Sequence, residues 1–472
     1  MDRALFRRTA EIAAEYLASL PERPVRAEAS LEELRAALGG PLGDDSRPAL
    51  QVVEELVAAA DPGLVGTQSA RYFGFVIGGG LDAAIAADWL TSVWDQNGGG
   101  YPVGPSAAVA EEVACGWLLE LLGLPGDAGV GLTTGCQMAH FTCLAAARHR
   151  MLAGAGWDVE SDGLFGAPPI RVLVGERAHT TVFAALRMLG LGSRRVELVP
   201  ADDQGRMQAS ELGRLLSAGA GPAIVIAQAG EVNTGAVDPL RAIARLAREH
   251  GAWCHVDGAF GLWAAASPRL RALVDGVAEA DSWATDAHKW LNVPYDSGLA
   301  VVRDRAAHTG AMNSFAGAAY IPPPQHDERS PAEWVPEFSR RARGFAVYAA
   351  LRQLGRRGVA ELVERCCDCA RLMAEELSRD PRVTVLNDVV LNQVLVRFGR
   401  DGANVTDEVL LGVQSEGTCW MSGTEWGREP AMRISVCNWR TTEEDIRRSA
   451  EAILGQVGAP GSPRRSGAPS PY

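Results

Sequence analysis

Lys289 is the only lysine in a chain of 472 residues that holds 45 lysines and arginines together. Arginine carries the rest of the positive charge, and it cannot do what an amine does. A guanidinium stays protonated, whereas an ammonium in a desolvated site can lose its proton and attack a carbonyl. A lone lysine in an arginine-rich chain can be an accident of composition. Its position argues otherwise. Within Ser282-Trp-Ala-Thr-Asp-Ala-His-Lys-Trp-Leu-Asn-Val-Pro-Tyr295 it follows a histidine, just past the strand-like run Asp281 to Thr285. Open α/β sheets place their chemistry at such strand ends. The chemistry suggested is a Schiff base.

A lysine joined to a cofactor aldehyde needs an anion site for a phosphate, a carboxylate for a pyridinium nitrogen, and a group that holds the ring. Thr133-Thr-Gly-Cys-Gln-Met-Ala-His140 is a glycine turn feeding a helix that runs to about Arg150. Backbone N–H groups at a helix start bind phosphate, although such a motif alone is more often a plain helix start. His255-Val-Asp-Gly-Ala259 ends a strand, so Asp257 is either a loop cap or a carboxylate held at the sheet's C-terminal edge. His179, in Glu176-Arg-Ala-His-Thr-Thr181, also follows a strand, where a lone histidine is more often a cap. Jointly, four residues of the required types follow four separate strands in one half of the molecule.

The elements that must position them are legible in outline. Helical material runs to about residue 60, broken at Gly39-Gly-Pro41 and Asp61-Pro-Gly63. The aromatic, glycine-rich Arg71-Tyr-Phe-Gly-Phe-Val-Ile-Gly-Gly-Gly80 suits a pocket lining. A helix follows toward Trp94, and another spans about Ala107 to Leu122. Candidate strands are Arg171–Val174, Arg195–Val199, Ala223–Ala227, Trp253–Val256, Asp281–Thr285 and Gly298–Val302. Apolar strands alternating with amphipathic helices such as Leu240 to His250 predict an α/β fold, its mostly parallel central sheet covered on both faces. Past residue 330 the pattern changes to a long helix, strands at Val383–Leu386, Gln393–Phe398 and Met432–Cys437, and a closing helix with capping-box spacing in Thr441-Thr-Glu-Glu444. The expected organisation is an N-terminal helical segment (1–65), a large domain (66–330), a smaller α+β domain (331–457) and a disordered tail (458–472) rich in Gly, Pro, Ser, Ala and Arg.

The 47% hydrophobic content supports a large core, and the net charge of −13 argues against a nucleic-acid or anionic-membrane partner. No apolar run reaches about 18 residues, so no membrane span is expected. Nine scattered cysteines fit reduced thiols in a cytoplasm. Cys366, Cys367 and Cys369 cluster inside a helical pattern without a second ligand pair nearby, so no metal site is expected.

With these motifs in hand, the chain resembles the pyridoxal-phosphate-dependent decarboxylases of the aromatic-amino-acid and glutamate decarboxylase (group II) family. The motifs that carry the resemblance are Thr134-Gly-Cys-Gln137, Ala178-His179, Gly230-Glu-Val-Asn-Thr-Gly235, His255-Val-Asp-Gly-Ala259, Asp286-Ala-His-Lys-Trp290, Ser339-Arg-Arg-Ala-Arg343 and Met432-Arg-Ile-Ser435, in order over about residues 70 to 440. The resemblance implies the fold-type I, transaminase-like architecture, pyridoxal 5'-phosphate as cofactor, and a homodimer with active sites at the interface, the N-terminal segment packing on the partner. It makes Lys289 the Schiff-base lysine, Asp257 the partner of the pyridinium nitrogen and His179 the imidazole stacked on the ring. Gly135, Cys136, Gln137 and His288 fall on the phosphate contacts, Ala259 against the ring, and Asn233 near its 3-hydroxyl. Tyr320, in Gly317-Ala-Ala-Tyr-Ile-Pro-Pro323, resembles the mobile-loop tyrosine that protonates the α-carbon in the partner subunit's site. Some positions depart from the family pattern. Gly135, Cys136 and Gln137 stand where many relatives have small hydroxyl residues, and Asp286 where several have asparagine.

The implied reaction is decarboxylation of an L-amino acid to the amine and carbon dioxide. Tyr72, Phe73, Phe75, Trp94 and Tyr101 offer aromatic surface for an aromatic or bulky apolar substrate, although aromatics are also usual core material. The alternatives are oxidative decarboxylation-deamination to an aldehyde, another Cα reaction, or a non-catalytic cofactor-binding regulator. Arg433 reads as a structural ion pair ahead of the alternative, a role near a substrate carboxylate.

Overall fold

The computed structural model of the chain describes residues 2–312 and 328–458. Tyr320 and the expected tail beyond Gly458 lie outside the described residues. The N-terminal segment forms three helices, α1 (Arg3–Ser19), α2 (Leu31–Leu38) and α3 (Ala49–Ala60). Asp2 caps the first, and a Ser30–Glu33 capping box starts the second. None of the three buries a residue against the rest of the chain. Then come α4 (Asp82–Trp94), α5 (Pro105–Leu121) and α6 (Cys136–Gly154).

The central sheet contains β1 (Gly129–Thr133), β2 (Arg171–Gly175), β3 (Glu197–Val199), β4 (Ala223–Gln228), β5 (Trp253–Asp257), β6 (Ser282–Asp286) and β7 (Gly298–Val302). Their order is β1-β7-β6-β5-β4-β2-β3. β7 pairs antiparallel with both neighbours, and the remaining pairs are parallel. Only β7 is reversed, so the mostly parallel sheet stands. Strands such as Ala223–Gln228 read as unbroken apolar runs because helices cover both faces. One apolar cluster lies on the side of α5 and the helix Leu240–Glu249, the other on the side of α6 and the helix Thr180–Met188.

The C-terminal part packs an antiparallel sheet, β8 (Val383–Val385), β9 (Gln393–Arg400), β10 (Ala403–Asn404), β11 (Ser422–Trp426) and β12 (Glu429–Ser435), against the helices Gly344–Ser378, Thr406–Glu416 and Glu443–Val457. The long helix is interrupted at Gly355, whose φ is 61°. The closing helix does carry a capping box, one residue later than expected: Thr442 and Asp445 cap each other's backbone, not Thr441 and Glu444. Cys366, Cys367 and Cys369 are buried helix residues, as expected of ordinary core cysteines. Among the described residues no helix is long and apolar enough to cross a membrane.

Candidate active site

Parallel strands end together, and this edge gathers most of the expected residues. β5 ends on Asp257 and β6 on Asp286, while β7 begins on Gly298, paired with Asp286 on one side and Thr133 on the other. Lys289 lies in the turn after β6. That turn is tied down by the Ala287 and His288 N–H groups, which donate to the Ser297 carbonyl at 3.0 and 3.1 Å. Asn292 sustains a φ of 56° and donates its side-chain amide to the Trp290 and Cys437 carbonyls.

The Lys289 amine sits 3.0 Å from Asp286 Oδ2. The other oxygen of Asp286 accepts the Cys136 N–H at 2.6 Å and lies 3.4 Å from His288 Nε2. One buried carboxylate therefore joins the amine to the first turn of α6. Burial pulls the Lys289 pKa down, but Asp286, helped by Asp257, more than offsets it and the pKa is raised. The amine rests as an ammonium, and its use as a nucleophile requires that proton to leave. His288 packs on Tyr295, the rings tilted by 32° with centroids 4.4 Å apart, and burial lowers its pKa. The turn is packed to backbone contact. A Cβ on Gly298 would fall 2.5 Å from Gly135 Cα, and one on Gly135 would fall 3.1 Å from His288 Cε1.

Asp257 is buried at the end of the neighbouring strand. The Ala259 N–H donates to its Oδ1 at 3.1 Å, and His140 Nε2 stands 3.4 Å from its Oδ2. Burial would raise its pKa. His140, by charge and hydrogen bonding, and then His179 and Lys289 reverse that, holding the carboxyl well below the usual carboxylate range. His179 caps the helix Thr180–Met188, its Nδ1 paired with the Thr181 hydroxyl at 2.8 Å. It also lies near enough for the charges of Asp257 and Lys289 to act on it, although burial dominates and lowers its pKa. Ala259 bridges the two strand ends, its carbonyl accepting the Asp286 N–H at 3.0 Å.

Two expected residues stand apart. Gln137 is exposed in the first turn of α6. Asn233 has both ends of its amide engaged, donating to Glu231 at 2.9 Å and accepting from Thr424 at 2.8 Å. A cofactor hydroxyl would have to compete with those partners. Of the aromatic candidates, Tyr72 and Phe75 flank Trp420 at 5.2 and 5.5 Å, and Trp94 packs edge-on to Phe345. The Tyr72–Gly80 segment touches the lysine turn at Gly78, where a Cβ would fall 1.8 Å from the Lys289 carbonyl oxygen.

Sequence reasoning overlooked His140 and the role of Asp286 as the amine's partner. Both had a spacing signal. His140 is four residues after Cys136 on one face of α6, and Asp286 is three before Lys289, across the turn that follows β6.

Comparison with known proteins bears on what such a site does. The profile of the pyridoxal-dependent decarboxylase conserved domain matches residues 33–399, more than half of the chain. The chain is similar to tryptophan decarboxylase 1 of Oryza sativa subsp. japonica, with 26% identity over 481 residues, 96% of this chain and 92% of that protein. It is also similar to phenylacetaldehyde synthase of Arabidopsis thaliana, 23% identical over 465 residues, 93% of this chain and 92% of the other. Among solved structures, Oryza sativa TDC with PLP and tryptamine superposes with a TM-score of 0.87 at 24% identity, covering 96% of this chain and 97% of that one.

Proposed function

This chain belongs to the pyridoxal-dependent decarboxylase family, and from that premise we propose that it converts an aromatic or bulky apolar L-amino acid into its amine and carbon dioxide. It is a pyridoxal-phosphate-dependent amino acid decarboxylase of fold type I. One observation carries the assignment of the site: the sole lysine amine lies 3.0 Å from one buried strand-end carboxylate, with a second, Asp257, at the end of the adjacent strand.

The residues suit the cofactor. Lys289 offers the amine an aldehyde takes up, Asp257 the ionised carboxylate a protonated ring nitrogen needs, and the turn at Gly135 and Cys136 the N–H donors for a phosphate. Asp286 already occupies the Cys136 N–H and Gln137 is exposed, so in this reading Gly135 and His288 take a larger share of the phosphate. When bound, pyridoxal phosphate supplies an electron sink for the pair left by cleavage of the Cα–carboxylate bond. Lys289 would anchor it through its amine and, when free, would serve as a base beside Asp286. Asp257 would keep the ring nitrogen protonated, and His179 and Ala259 would hold the ring. Asn233 approaches the 3-hydroxyl only by sharing its present partners. Tyr320 is assigned the proton delivered to Cα, on its sequence motif alone.

The aromatic preference draws on Tyr72 and Phe75, which pack with Trp420 and belong to the segment that meets the lysine turn at Gly78, and on the rice relative's name. A homodimer is part of the reading. Phe6, Leu31, Leu38, Val52 and Leu56 on α1–α3, and Trp89, Leu90, Val93 and Trp94 on α4, are exposed apolar residues that a second copy would cover. A cytoplasmic setting is proposed because all nine cysteines are buried and unpaired. The test is a mass-spectrometric screen of the purified protein against the common L-amino acids, scoring amine against aldehyde. Similarity to phenylacetaldehyde synthase favours a second reading, oxidation by dioxygen to an aldehyde. Aldehyde accompanied by hydrogen peroxide would install it in place of the first, and the cofactor's colour without turnover of any amino acid would indicate a regulator.

A further inference from the structure

Asp257 is one end of a line of buried polar side chains. Trp253, His255 and Asp257 alternate along β5 and so share a face. At the far end the Trp253 indole, which can only donate, donates to Ser282 Oγ at 2.8 Å. Ser282 Oγ lies 2.9 Å from His255 Nδ1, His255 Nε2 lies 2.9 Å from His140 Nδ1, and His140 Nε2 faces Asp257 Oδ2 at 3.4 Å. All five residues are buried.

The ends constrain the protons between them. An ionised carboxylate only accepts, so His140 Nε2 carries a hydrogen. Two arrangements then satisfy every group. With His140 neutral, its Nδ1 accepts from His255 Nε2–H, and the Ser282 hydroxyl donates to His255 Nδ1. With a second proton on His140 Nδ1, that atom donates to His255 Nε2, and His255 turns its own Nδ1–H toward Ser282. The two differ by one added proton, the tautomer of His255 and one hydroxyl rotation. In both, His140 Nε2–H points at Asp257.

We propose that His140, backed by His255 and Ser282, is a positioning residue that keeps the Asp257 carboxylate ionised and aimed, and thereby keeps the ring nitrogen of bound pyridoxal phosphate protonated. The inference rests on the reading of Asp257 and Lys289 given above. Burial works against ionised Asp257, and among the influences that reverse it His140 is the largest. His255 is neutral, its pKa pushed down to about 3, mainly by burial. The other charged or titratable groups facing the pair are Cys136 on α6, His179 ahead of its helix, and Asp286 and Lys289 after β6, with Arg433 acting on His179 from β12. Without His140 a buried anion keeps the Ala259 N–H but loses its nearest side-chain donor, a state relieved by taking up a proton.

The test uses the cofactor-loaded enzyme with His140→Met, which fills the space without a donor, and His140→Gln, which keeps a donor but cannot hold a charge. In the Met variant the pH midpoint of the cofactor's visible absorption is expected to move by at least about one unit, and kcat to fall at least about tenfold with KM within about twofold. The Gln variant should lie between. In an Asp257→Asn background the same substitutions should change neither quantity further. A Met variant with the wild-type midpoint and kcat overturns the proposal, as does an undiminished effect in the Asp257→Asn background. Should the Met variant fail to fold, the Gln variant decides on the same two readings. Borohydride reduction separates the layers. Wild-type protein without a pyridoxyl group on Lys289 removes the underlying reading, whereas labelled wild type indifferent to His140 removes this inference alone.

Discussion

Asp286 sets the resting state of Lys289. Its carboxylate raises the amine's pKa against the pull of burial, so replacing it lowers that pKa and frees the base at lower pH. Asp286→Asn is therefore expected to take up pyridoxal phosphate from solution at a lower pH than wild type, measured as the rate of appearance of the visible band across pH. The same rate profile in both proteins would contradict the pairing. Tyr320 carries a separate expectation from its motif. Tyr320→Phe should keep the cofactor's colour and lose amine formation by about 10²-fold or more, the range for removing a positioned acid. Unchanged amine output would remove it from the scheme. At this scale the sequence disclosed residue types and missed their partners. Lys289 stood out by being alone, and Asp257 and His179 by following strands. His140 did not, because its partner Asp257 lies 117 positions away on another element, and nothing short of the folded sheet brings them together.

At the scale of elements the contacts are backbone to backbone. β7 meets the turn before α6 so closely that Gly298→Ala would set a methyl 2.5 Å from Gly135 Cα. The expected loss is about 1–3 kcal/mol of stability with weaker cofactor binding, read by chemical denaturation and by titration of the apoenzyme with pyridoxal phosphate. Glycine also explains one strand that reading the sequence missed. β1, Gly129-Val-Gly-Leu-Thr133, has two glycines and a weak strand signature. The folded protein needs both, since Cβ atoms there would fall 2.3 Å from the Trp334 ring and from its carbonyl oxygen. β10 is a different kind of miss. Asp401-Gly402 is a hairpin signal in plain view, and both residues adopt positive φ. The buried strands were legible because each is an apolar run between helices, and Gly298–Val302 falls where the pattern placed it.

For the whole molecule, two expectations concern what is buried. Val93, 64% exposed on α4, is a surface residue on a monomer, where Val93→Asp would change stability by no more than about 0.5 kcal/mol. If a second copy covers it, the substitution should shift the protein from dimer to monomer in sedimentation and lower activity. His255 and His308 are buried, with pKa values lowered to about 3 from an ordinary 6.5. Unfolded chains take up these protons as pH falls through 6.5, and the folded protein does not until about 3. Stability is therefore complete above 6.5 and declines toward acid, by about 2 kcal/mol per histidine at pH 5. Denaturant melts at pH 7.5 and pH 5 measure this, and His308→Phe should remove its share.

By itself the sequence determined the alternation of buried strands and amphipathic helices, the identity of the reacting amine and the strand ends where a second carboxylate and an imidazole would lie. Those follow from local patterns, since apolar period and residue type are written along the chain. Tertiary structure alone decided which carboxylate pairs with the amine, that Asp286 claims the first N–H of α6, and that Asp257 is backed by two histidines and a serine. All but the first of these join residues far apart in sequence, and the energies of all depend on burial and distance, which exist only once the sheet has brought its strand ends to one edge.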